Sequence, residues 1–406
     1  MTTSFSPQRP LAEFIALAAA LFATIALSID AMLPALPQIA RELSPENANL
    51  SQLVITSFVF GMGVGTLFMG PLSDAYGRKP VILCGSALYA IAALICWIAP
   101  SLDTLLAARV LQGLGAAAAR VVVVAIVRDQ FEGRAMARIM SFVMMVFTLV
   151  PAIAPLVGTA VIAVAGWREI FLVYVLFAGV TSFWLWSRQP ETLPRERRRA
   201  LSVATLWSAF KEVFSHRIVV ISILGQTLTL GMLFATLSSM QGIFDLRFDR
   251  AETFPYWFTF IALASMMGSA LNARVVMRLG MRRVTIATYS GIVVLTLVLL
   301  ALNLSGLLPD DLVFAGHILW SVALFAMMGL TMGNLNALAM EPLGHIAGMA
   351  SSVMTSIATV SSVVLAVPIG QMFNGTAIPL MTGVAVFASL ALLLLRYGVA
   401  ELAPAT

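Results

Sequence analysis

Long apolar runs alternate with short polar or charged segments along almost the whole length of this 406-residue chain. A helix that crosses the hydrocarbon core of a bilayer needs about 20 mostly apolar residues, and most of these runs reach that length. The pattern therefore predicts an all-α membrane protein with twelve transmembrane helices. The predicted spans are residues 11–34, 51–71, 80–99, 103–125, 136–160, 169–187, 217–240, 255–277, 283–303, 311–335, 346–370 and 377–396.

One polar gap is longer than the others and divides the predicted spans into two sets of six. It begins with Arg188–Arg199, the only strongly charged run in the chain. Residues 201–214 then mix apolar and polar positions at helical spacing, which is typical of a helix lying on a membrane surface. We predict an N-terminal six-helix bundle at 1–188, a cytoplasmic linker at 189–216 and a C-terminal six-helix bundle at 217–406.

Composition excludes a soluble globule and indicates an orientation in the membrane. Hydrophobic residues make up 60% of the chain and charged residues 11%, with a mean hydropathy of +0.96, which leaves too little polar surface for a water-exposed exterior. About eighteen of the 24 Lys and Arg lie in the termini, the linker and the loops after even-numbered spans. Basic loops stay on the cytoplasmic side, so both termini are expected there. The pI near 9.6 thus reflects topology, and no nucleic-acid partner is expected.

No group of residues with the spacing of an enzyme active site or a metal site can be identified. Cys84 and Cys96 are twelve positions apart on one predicted helix, or about 18 Å, which is beyond the reach of a disulfide. The three histidines are scattered at positions 216, 317 and 345, and no phosphate-binding loop of the P-loop kind occurs. We expect no enzymatic activity, no cofactor and no metal.

The segment Gly70–Val81 is a compact polar interruption between two apolar runs. Pro71 has no backbone N–H, so we expect the arriving helix to end near it. Gly77 can adopt the left-handed backbone conformation that reverses a chain, and Pro80 suits the first turn of a new helix. The segment is therefore predicted to form a tight charged hairpin between the second and third spans.

Several stretches of the first half, taken together, resemble one family of membrane transporters. The hairpin residues that carry the resemblance are Gly70, Asp74, Gly77, Arg78 and Lys79. The supporting stretches are Asp30–Pro37, Arg109–Gly115, Pro151–Pro155, Gly158 and Gly166–Arg168. These residues resemble the major facilitator superfamily, and within it the proton-driven drug antiporters of twelve spans, in the bicyclomycin and chloramphenicol resistance subgroup. The second half matches mainly by its hydropathy pattern.

This resemblance implies a function. Such antiporters export small, hydrophobic or drug-like molecules in exchange for protons, by alternating access to a site between two bundles near the membrane midplane. The implied setting is a bacterial inner membrane, with the lipid bilayer, protons and a small-molecule substrate as partners and a monomer as the functional unit. Two other classes stay open: a uniporter or symporter for a sugar, amino acid or other metabolite, and a non-transporting receptor or scaffold with the same fold.

Asp30 is the best-placed acid within a predicted span. A buried acid in a membrane helix is costly and usually functional, and a carboxyl group whose exposure changes can load and release a proton. The antiporters that the chain resembles have an acid at the corresponding point of helix 1. The alternative is that Asp30 lies at the outer interface, where the helix ends near Pro34. We interpret Asp30 as the proton-coupling acid.

Two arginines of the fourth span complete the predicted coupling site. Arg109 matches the buried-arginine motif of helix 4 in proton antiporters, and its permanent charge can influence a nearby carboxylate; alternatively, it snorkels to the interface. Arg120 stands four positions before Val124, where members of the subgroup often have a second arginine. Either Arg109 or Arg120 is predicted to tune the pKa of Asp30.

The hairpin is predicted to act as a conformational gate. Gly70, Asp74, Gly77, Arg78 and Lys79 belong to it, and Arg128, at the cytoplasmic end of the fourth span, is the predicted partner of Asp74. A faint repeat occurs in the second half, where Gly280 and Arg282 correspond to Gly77 and Arg78 with one inserted residue and Met277 takes the place of Asp74.

Two further sets of candidate residues lie within the spans. Pro151, Pro155 and Gly158 resemble the helix 5 motif of antiporters, which implies a bend at the interface between the bundles. Gln226, Met144 and Met232 are candidates for the substrate site, because a polar amide can orient a ligand and methionine adapts to apolar ligands of different shape.

Overall fold

The computed structural model describes residues 10–398, and within this range every regular element is helical. The α-helices are α1 (Leu11–Asp30), α2 (Leu36–Leu43), α3 (Leu53–Tyr76), α4 (Arg78–Trp97), α5 (Leu102–Gln130), α6 (Gly133–Val164), α7 (Glu169–Arg188), α8 (Val203–Ser215), α9 (Arg217–Gly242), α10 (Phe254–Leu279), α11 (Met281–Ser305), α12 (Asp310–Met340), α13 (Ala347–Gln371) and α14 (Ile378–Tyr397). The all-α prediction is confirmed for this part of the chain.

Eleven stretches of the described residues are long and apolar enough to cross a membrane. One of them, Asp310–Gln371, is 62 residues long and contains both α12 and α13, which are joined by a 3₁₀ segment at Glu341–Ile346. Another, Leu11–Leu43, combines α1 and α2. The helical stretches therefore correspond to the predicted spans in order, but α12 and α13 are separated only by this short segment, which is kinked at Leu343.

The first span is interrupted where its prolines lie. α1 ends at Asp30, a short 3₁₀ turn follows at Leu33–Ala35, and α2 then begins at Leu36. Pro34 and Pro37 each occupy one of the first two positions of the next helical segment, where a missing backbone N–H has no cost. The interruption places Asp30 at the last residue of a helix.

The expectation that α3 ends near Pro71 is wrong. The helix continues through Pro71 to Tyr76, and the chain reverses at Gly77, which has φ +106°. Proline removes only one helical hydrogen bond, and neighbouring helices and hydroxyl groups make that loss tolerable in membrane helices. Pro80 lies in the first turn of α4, as predicted. The reversal is thus tighter and starts later than the sequence indicated.

Glycines allow the closest helix contacts in the N-terminal half. A Cβ atom on Gly113 of α5 would lie 2.0 Å from the carbonyl oxygen of Phe58 in α3. A Cβ atom on Gly158 of α6 would lie 2.0 Å from the carbonyl oxygen of Ala31, directly after α1. Backbones approach this closely only at small residues, so these two glycines fix how α5 and α6 pack around the first helices.

The two most extensive helix contacts between the first half of the chain and the second are α3 with α13 and α6 with α10. We name the end of the bundle that carries the α3–α4 turn the hairpin face, and the other end the far face. On the far face Asn49 Nδ2 donates to the carbonyls of Gln371 and Phe373 at 3.1 and 2.8 Å, and Gln371 Nε2 donates to the Asn49 carbonyl at 2.9 Å. Toward the hairpin face, a Cβ on Gly70 would lie 3.4 Å from Ser352 Oγ.

The predicted surface helix is present as α8. It packs against α9 and α13, and Glu212 pairs with His345 at 2.7 Å. Trp207, Phe210 and Phe214 stack along it with their rings at least partly exposed. α8 therefore presents an aromatic stripe that protein does not cover.

Candidate functional site

Arg78 is the centre of a charged network at the hairpin. The residue is 4% exposed, and its Nη1 donates to Asp74 Oδ1 and to Ser73 Oγ while its Nε donates to Asp129 Oδ2 at 2.9 Å. Hydrogen bonds between ionised groups are stronger than neutral ones, and this arrangement ties the end of α3 to the end of α5. The hairpin is held within the first half of the chain.

Arg128 does not contact Asp74 in this structure. Its guanidinium lies beside the start of α13, where a Cβ on Gly348 would be 3.1 Å from Nη1. Asp129, the next residue, faces the hairpin instead and binds Arg78. Successive residues of a helix point about 100° apart, so only one of the two can reach the hairpin. The predicted contact between Arg128 and Asp74 is therefore absent, and Asp129 binds the hairpin instead, through Arg78.

Glu191 is an unpredicted member of the network. Its carboxylate accepts hydrogen bonds from the backbone N–H groups of Arg78 and Lys79 at 2.9 and 3.0 Å. A carboxylate at this position satisfies unpaired N–H groups and favours the helix dipole at the start of α4. Glu191 is more than a hundred positions away in sequence, in the charged linker, so no local pattern could have identified it.

The second half of the chain repeats the hairpin geometry. Gly280 precedes α11 with φ +81° and ψ 151°, close to the φ +106° and ψ 157° of Gly77. Arg282 donates to the carbonyls of Leu395 and Arg396 at the end of α14, just as Lys79 donates to the Trp186 carbonyl near the end of α7 at 2.6 Å.

The predicted alignment of this repeat therefore needs correction. Lys79, and not Arg78, is the structural counterpart of Arg282, because both stand two positions after the left-handed glycine and both bind the end of the last helix in their half. No inserted residue is needed. Met277 stands three positions before Gly280, as Asp74 does before Gly77, and is 89% exposed.

Arg109 is fully buried and bonds to three elements. Its Nε donates to the Val54 carbonyl of α3 at 3.0 Å, its Nη2 to the Ser28 carbonyl of α1 at 3.0 Å, and its Nη1 to Gln112 Oε1 at 2.7 Å. The guanidinium also lies 4.5 Å from the centre of the Phe58 ring, a cation–π distance. Because the residue is 0% exposed, the alternative that it snorkels to an interface is wrong.

Asp30 follows two residues after Ser28, whose carbonyl accepts a hydrogen bond from Arg109. It is 5% exposed at the end of α1, so it is covered by protein and does not lie at an open helix end. No Lys, Arg or His among residues 10–398 forms an ion pair with it within 4.0 Å. The Arg109 guanidinium binds the backbone of the same helix turn, so it fixes the position of the Asp30 segment without neutralising the carboxyl group.

Arg120 lies on the same face of α5 as Arg109 but about 16 Å further along the helix. It is half-buried, and its Nη1 is 3.9 Å from the sulfur of Met62 on α3. In the described part of the chain no acid pairs with it. The two arginines that were predicted to act on Asp30 are thus far apart. Arg109 is the one that is hydrogen-bonded to the helix turn before Asp30.

The proline segment of α6 meets the second half of the chain. Pro151 and Pro155 both lie within the continuous helix Gly133–Val164. The carbonyl of Ala152 is 2.5 Å from the hydroxyl of Thr259 on α10, and Gly158 packs on Ala31 as described above. The segment therefore contacts both the element that carries Asp30 and the opposite half.

The three predicted substrate residues have different surroundings. Gln226 of α9 is 3% exposed and its Nε2 has no hydrogen-bond partner in the described structure. Met232 is fully buried in the apolar core, whereas Met144 on α6 is 43% exposed. Three other side chains of α9 also contain a buried, unpartnered polar atom: Ser222, Ser238 and Gln241. These three further polar side chains, spread along α9, were not predicted.

The fold has the apolar helices of a multi-span membrane protein, and comparison with known proteins identifies its family. The family model described as Major Facilitator Superfamily matches residues 17–367, so the chain belongs to the major facilitator superfamily. It is 31% identical over 367 residues to the MFS-type transporter YdgK of Bacillus subtilis, with 87% of each chain covered. It is 30% identical over 365 residues to the bicyclomycin resistance protein homolog of Haemophilus influenzae, again with 87% of each covered.

A third relative matches over a shorter range, and solved structures share the fold. The multidrug resistance protein MdtL of Shigella flexneri is 35% identical over 161 residues, 40% of this chain and 41% of that protein. The D-xylose-proton symporter aligns with a TM-score of 0.75 at 14% identity, over 95% of this chain and 97% of its own. The POT family transporter PepTSo aligns with a TM-score of 0.76 at 14% identity, over 96% and 98%. The predicted family is confirmed, and the protein is a membrane transporter and not an enzyme.

Proposed function

We propose that this protein exports small, hydrophobic or drug-like molecules in exchange for protons, by alternating access between two six-helix halves. The observation that carries the proposal is the buried Asp30 carboxyl, which has no ion-pair partner among the described residues and follows the helix turn bonded to Arg109. The names of two relatives, a bicyclomycin resistance protein homolog and a multidrug resistance protein, support export of drug-like substrates.

The proposed topology has twelve spans, with α1 and α2 as the first and with α12 and α13 as separate spans. The halves are residues 1–188 and 217–406, joined by the linker 189–216, in a bacterial inner membrane. The basic-residue bias supports cytoplasmic termini and a cytoplasmic hairpin face. Cysteines introduced at Ala75 and Asp249 are expected to react with an impermeant reagent from opposite sides of oriented vesicles. Reaction from the same side would contradict this topology.

Asp30 is proposed to carry the coupled proton. An inward proton releases about 2.3 kcal/mol per 100 mV of membrane potential, and a pH gradient adds to this. Using that energy requires that the proton and the substrate compete for, or alternate at, one site. We propose that Asp30 releases its proton to the cytoplasm as substrate binds, with Arg109 positioning the carboxyl and Arg120 and Gln226 facing the substrate path.

Efflux from proteoliposomes tests the proposal, with a panel of hydrophobic drugs, sugars and amino acids assayed with and without a pH gradient. Asp30→Asn is expected to abolish pH-driven efflux while exchange down a substrate gradient continues. Asp103→Asn is the matched control, because Asp103 is an exposed acid in the first turn of α5. Drug efflux by Asp30→Asn at the wild-type rate against a gradient would remove Asp30 from the mechanism. Uptake of a sugar or amino acid in place of drug efflux would favour the uniporter or symporter.

A further inference from the structure

His317 of α12 is a buried titratable residue that the proposed mechanism does not use. It is 2% exposed, and neither ring nitrogen has a hydrogen-bond partner in the described structure. Aromatic rings surround the imidazole: the ring centres of Phe248, Trp320 and Phe244 are 5.4, 5.6 and 6.2 Å away. Buried polar groups are nearly always paired, so a histidine with two unpaired nitrogens requires an explanation.

The repeat between the two halves gives His317 a counterpart. α4 and α11 both follow a left-handed glycine, and the next helices in order are α5 and α12. Arg109 is the eighth residue of α5, and His317 is the eighth residue of α12. The position that holds the buried cation in the first half is thus occupied in the second half by a side chain that can gain or lose a positive charge near neutral pH.

A short irregular segment covers His317 from the far face. We name Ile243–Arg250 the lid: it begins as a π-helical turn at Ile243–Arg247 and contributes Phe244 and Phe248 to the ring cluster. Asp249 has φ +52°, a left-handed conformation that is uncommon for a residue other than glycine. π-helical turns occur frequently at functional sites. The lid thus combines two irregular backbone features in the segment whose rings pack against the unpaired imidazole.

The lid contacts the start of α12 through the rings of Phe244 and Phe248, which lie 5.6 and 5.0 Å from that of Phe314, and its ion pairs to this helix are exposed. Arg247 pairs with Asp310 at 2.8 Å and Arg250 with Asp311 at 3.0 Å, and both aspartate side chains are more than four-fifths exposed. Exposed ion pairs stabilise a structure only weakly. Asp310 lies seven positions before His317, which places it on the same face of α12 about 10 Å away. An opened lid would leave this carboxylate free to face a protonated His317.

We propose that His317 is a second proton-binding site, loaded from the far face when the lid opens. The charged groups on the elements around it are Asp245, Arg247, Asp249 and Arg250 of the lid, with Asp310 and Asp311 of α12, and none forms an ion pair with the imidazole within 4.0 Å in the described structure. The closed lid therefore holds the neutral form. The open lid admits water, and protonation then stabilises the open form. The use of this proton in transport rests on the proposed function, but its binding does not.

Hydrogen exchange of the lid backbone, measured on the purified full-length protein in lipid nanodiscs, tests the proposal without transport. A solvated imidazole takes up its proton near pH 6.5, so the open fraction should rise about tenfold per pH unit below that value. Between about pH 7.5 and about pH 5, lid protection in the wild type should fall about thirtyfold after correction for the intrinsic exchange rate.

His317→Gln and His317→Phe are expected to remove this pH response, since the first keeps polar atoms without titrating and the second keeps the ring. His345→Gln is the matched control, because His345 is an exposed histidine paired with Glu212, and it should respond as the wild type does. A flat response in the wild type, or a wild-type response in either His317 variant, would overturn the proposal. A lid response together with absent drug efflux would instead reject the proposed function and keep the proton site.

Discussion

At the scale of single residues, the N-terminal half places a permanent positive charge in a site that contains no paired anion among the described residues. Arg109 is stabilised by two backbone carbonyls and one amide oxygen, and such partners can satisfy the N–H donors without cancelling the charge. The carbonyls belong to α1 and α3, so the guanidinium also joins helices that contribute to the proposed coupling site. Arg109 therefore both joins these helices and supplies a positive charge, and a substitution changes the two together.

Substitution of Arg109 should therefore lower both the stability of the fold and the efflux that a pH gradient drives. Arg109→Gln leaves buried carbonyls without donors, which should lower the free energy of unfolding by about 2–5 kcal/mol. Arg109→Lys should recover only part of this loss, since one ammonium cannot reproduce the planar set of donors. Thermal unfolding in detergent and pH-driven efflux are the two measurements.

Arg120→Gln serves as the control for this prediction, because its described contact is a methionine sulfur on the same helix pair. It should unfold close to the wild-type temperature. The interpretation of Arg109 as the residue that joins α1 to α3 fails if Arg109→Gln is as stable as Arg120→Gln.

At the scale of elements, the sequence predicts those features that depend only on residues near each other in the chain. Apolar run length predicted the helices, and the conformational freedom of glycine predicted the reversal at Gly77. Pro71 was misread because a proline in water usually ends a helix, whereas packed helices in a membrane tolerate it. Glu191 and the lid could not be predicted, since each depends on contacts between segments distant in sequence. Whether Asp129 or Arg128 faces the hairpin depends on how α5 is rotated about its axis, and the local sequence does not determine that rotation.

The two left-handed glycines allow an element-scale prediction with an internal control. An added Cβ is strained at both Gly77 and Gly280 because of their positive φ. At Gly77 it would also lie 2.7 Å from a carboxylate oxygen of Glu191 and 2.9 Å from Nη2 of the long, flexible Arg198 side chain, whereas at Gly280 no atom lies within 4 Å. Gly77→Ala should therefore cost about 1–2 kcal/mol more than Gly280→Ala, because Glu191 must give up its hydrogen bonds to the start of α4.

Thermal unfolding of the two alanine variants checks this difference. In the Gly77→Ala, Glu191→Ala double variant the extra cost should shrink, because the clashing carboxylate is gone. Equal losses for Gly77→Ala and Gly280→Ala would show that Glu191 does not stabilise the hairpin.

At the scale of the whole molecule, the contacts between the halves differ at the two faces. The far face is joined by three hydrogen bonds between Asn49 and the end of α13, and by one from Ser239 to Gln52 at 3.4 Å. Toward the hairpin face the contacts include packing of Gly70 against Ser352 and of Arg128 against Gly348, while the charged network of Arg78 joins the first half to the linker and does not reach the second half. Directional bonds therefore close the far face in this structure.

A carrier with two states of similar free energy should respond to the loss of those bonds. Asn49→Ala removes the two hydrogen bonds that the Asn49 side chain donates to the carbonyls of Gln371 and Phe373, and a change of about 1–3 kcal/mol is enough to shift such an equilibrium at least severalfold. Spin labels at Glu46 and Asn374, both exposed on the far face, should show a larger population of long distances than in the wild type. Labels at Arg134 and Arg278 on the hairpin face should move closer together.

Asp74→Asn gives the reciprocal test, since it weakens the proposed gate on the hairpin face while its amide keeps the shape of the carboxyl. It should lengthen the Arg134–Arg278 distance and leave the far face closed. Alternating access requires the two faces to move in opposite directions, because a carrier open at both faces would dissipate the proton gradient. If Asn49→Ala opens the far face without closing the hairpin face, the halves do not move as coupled rigid units.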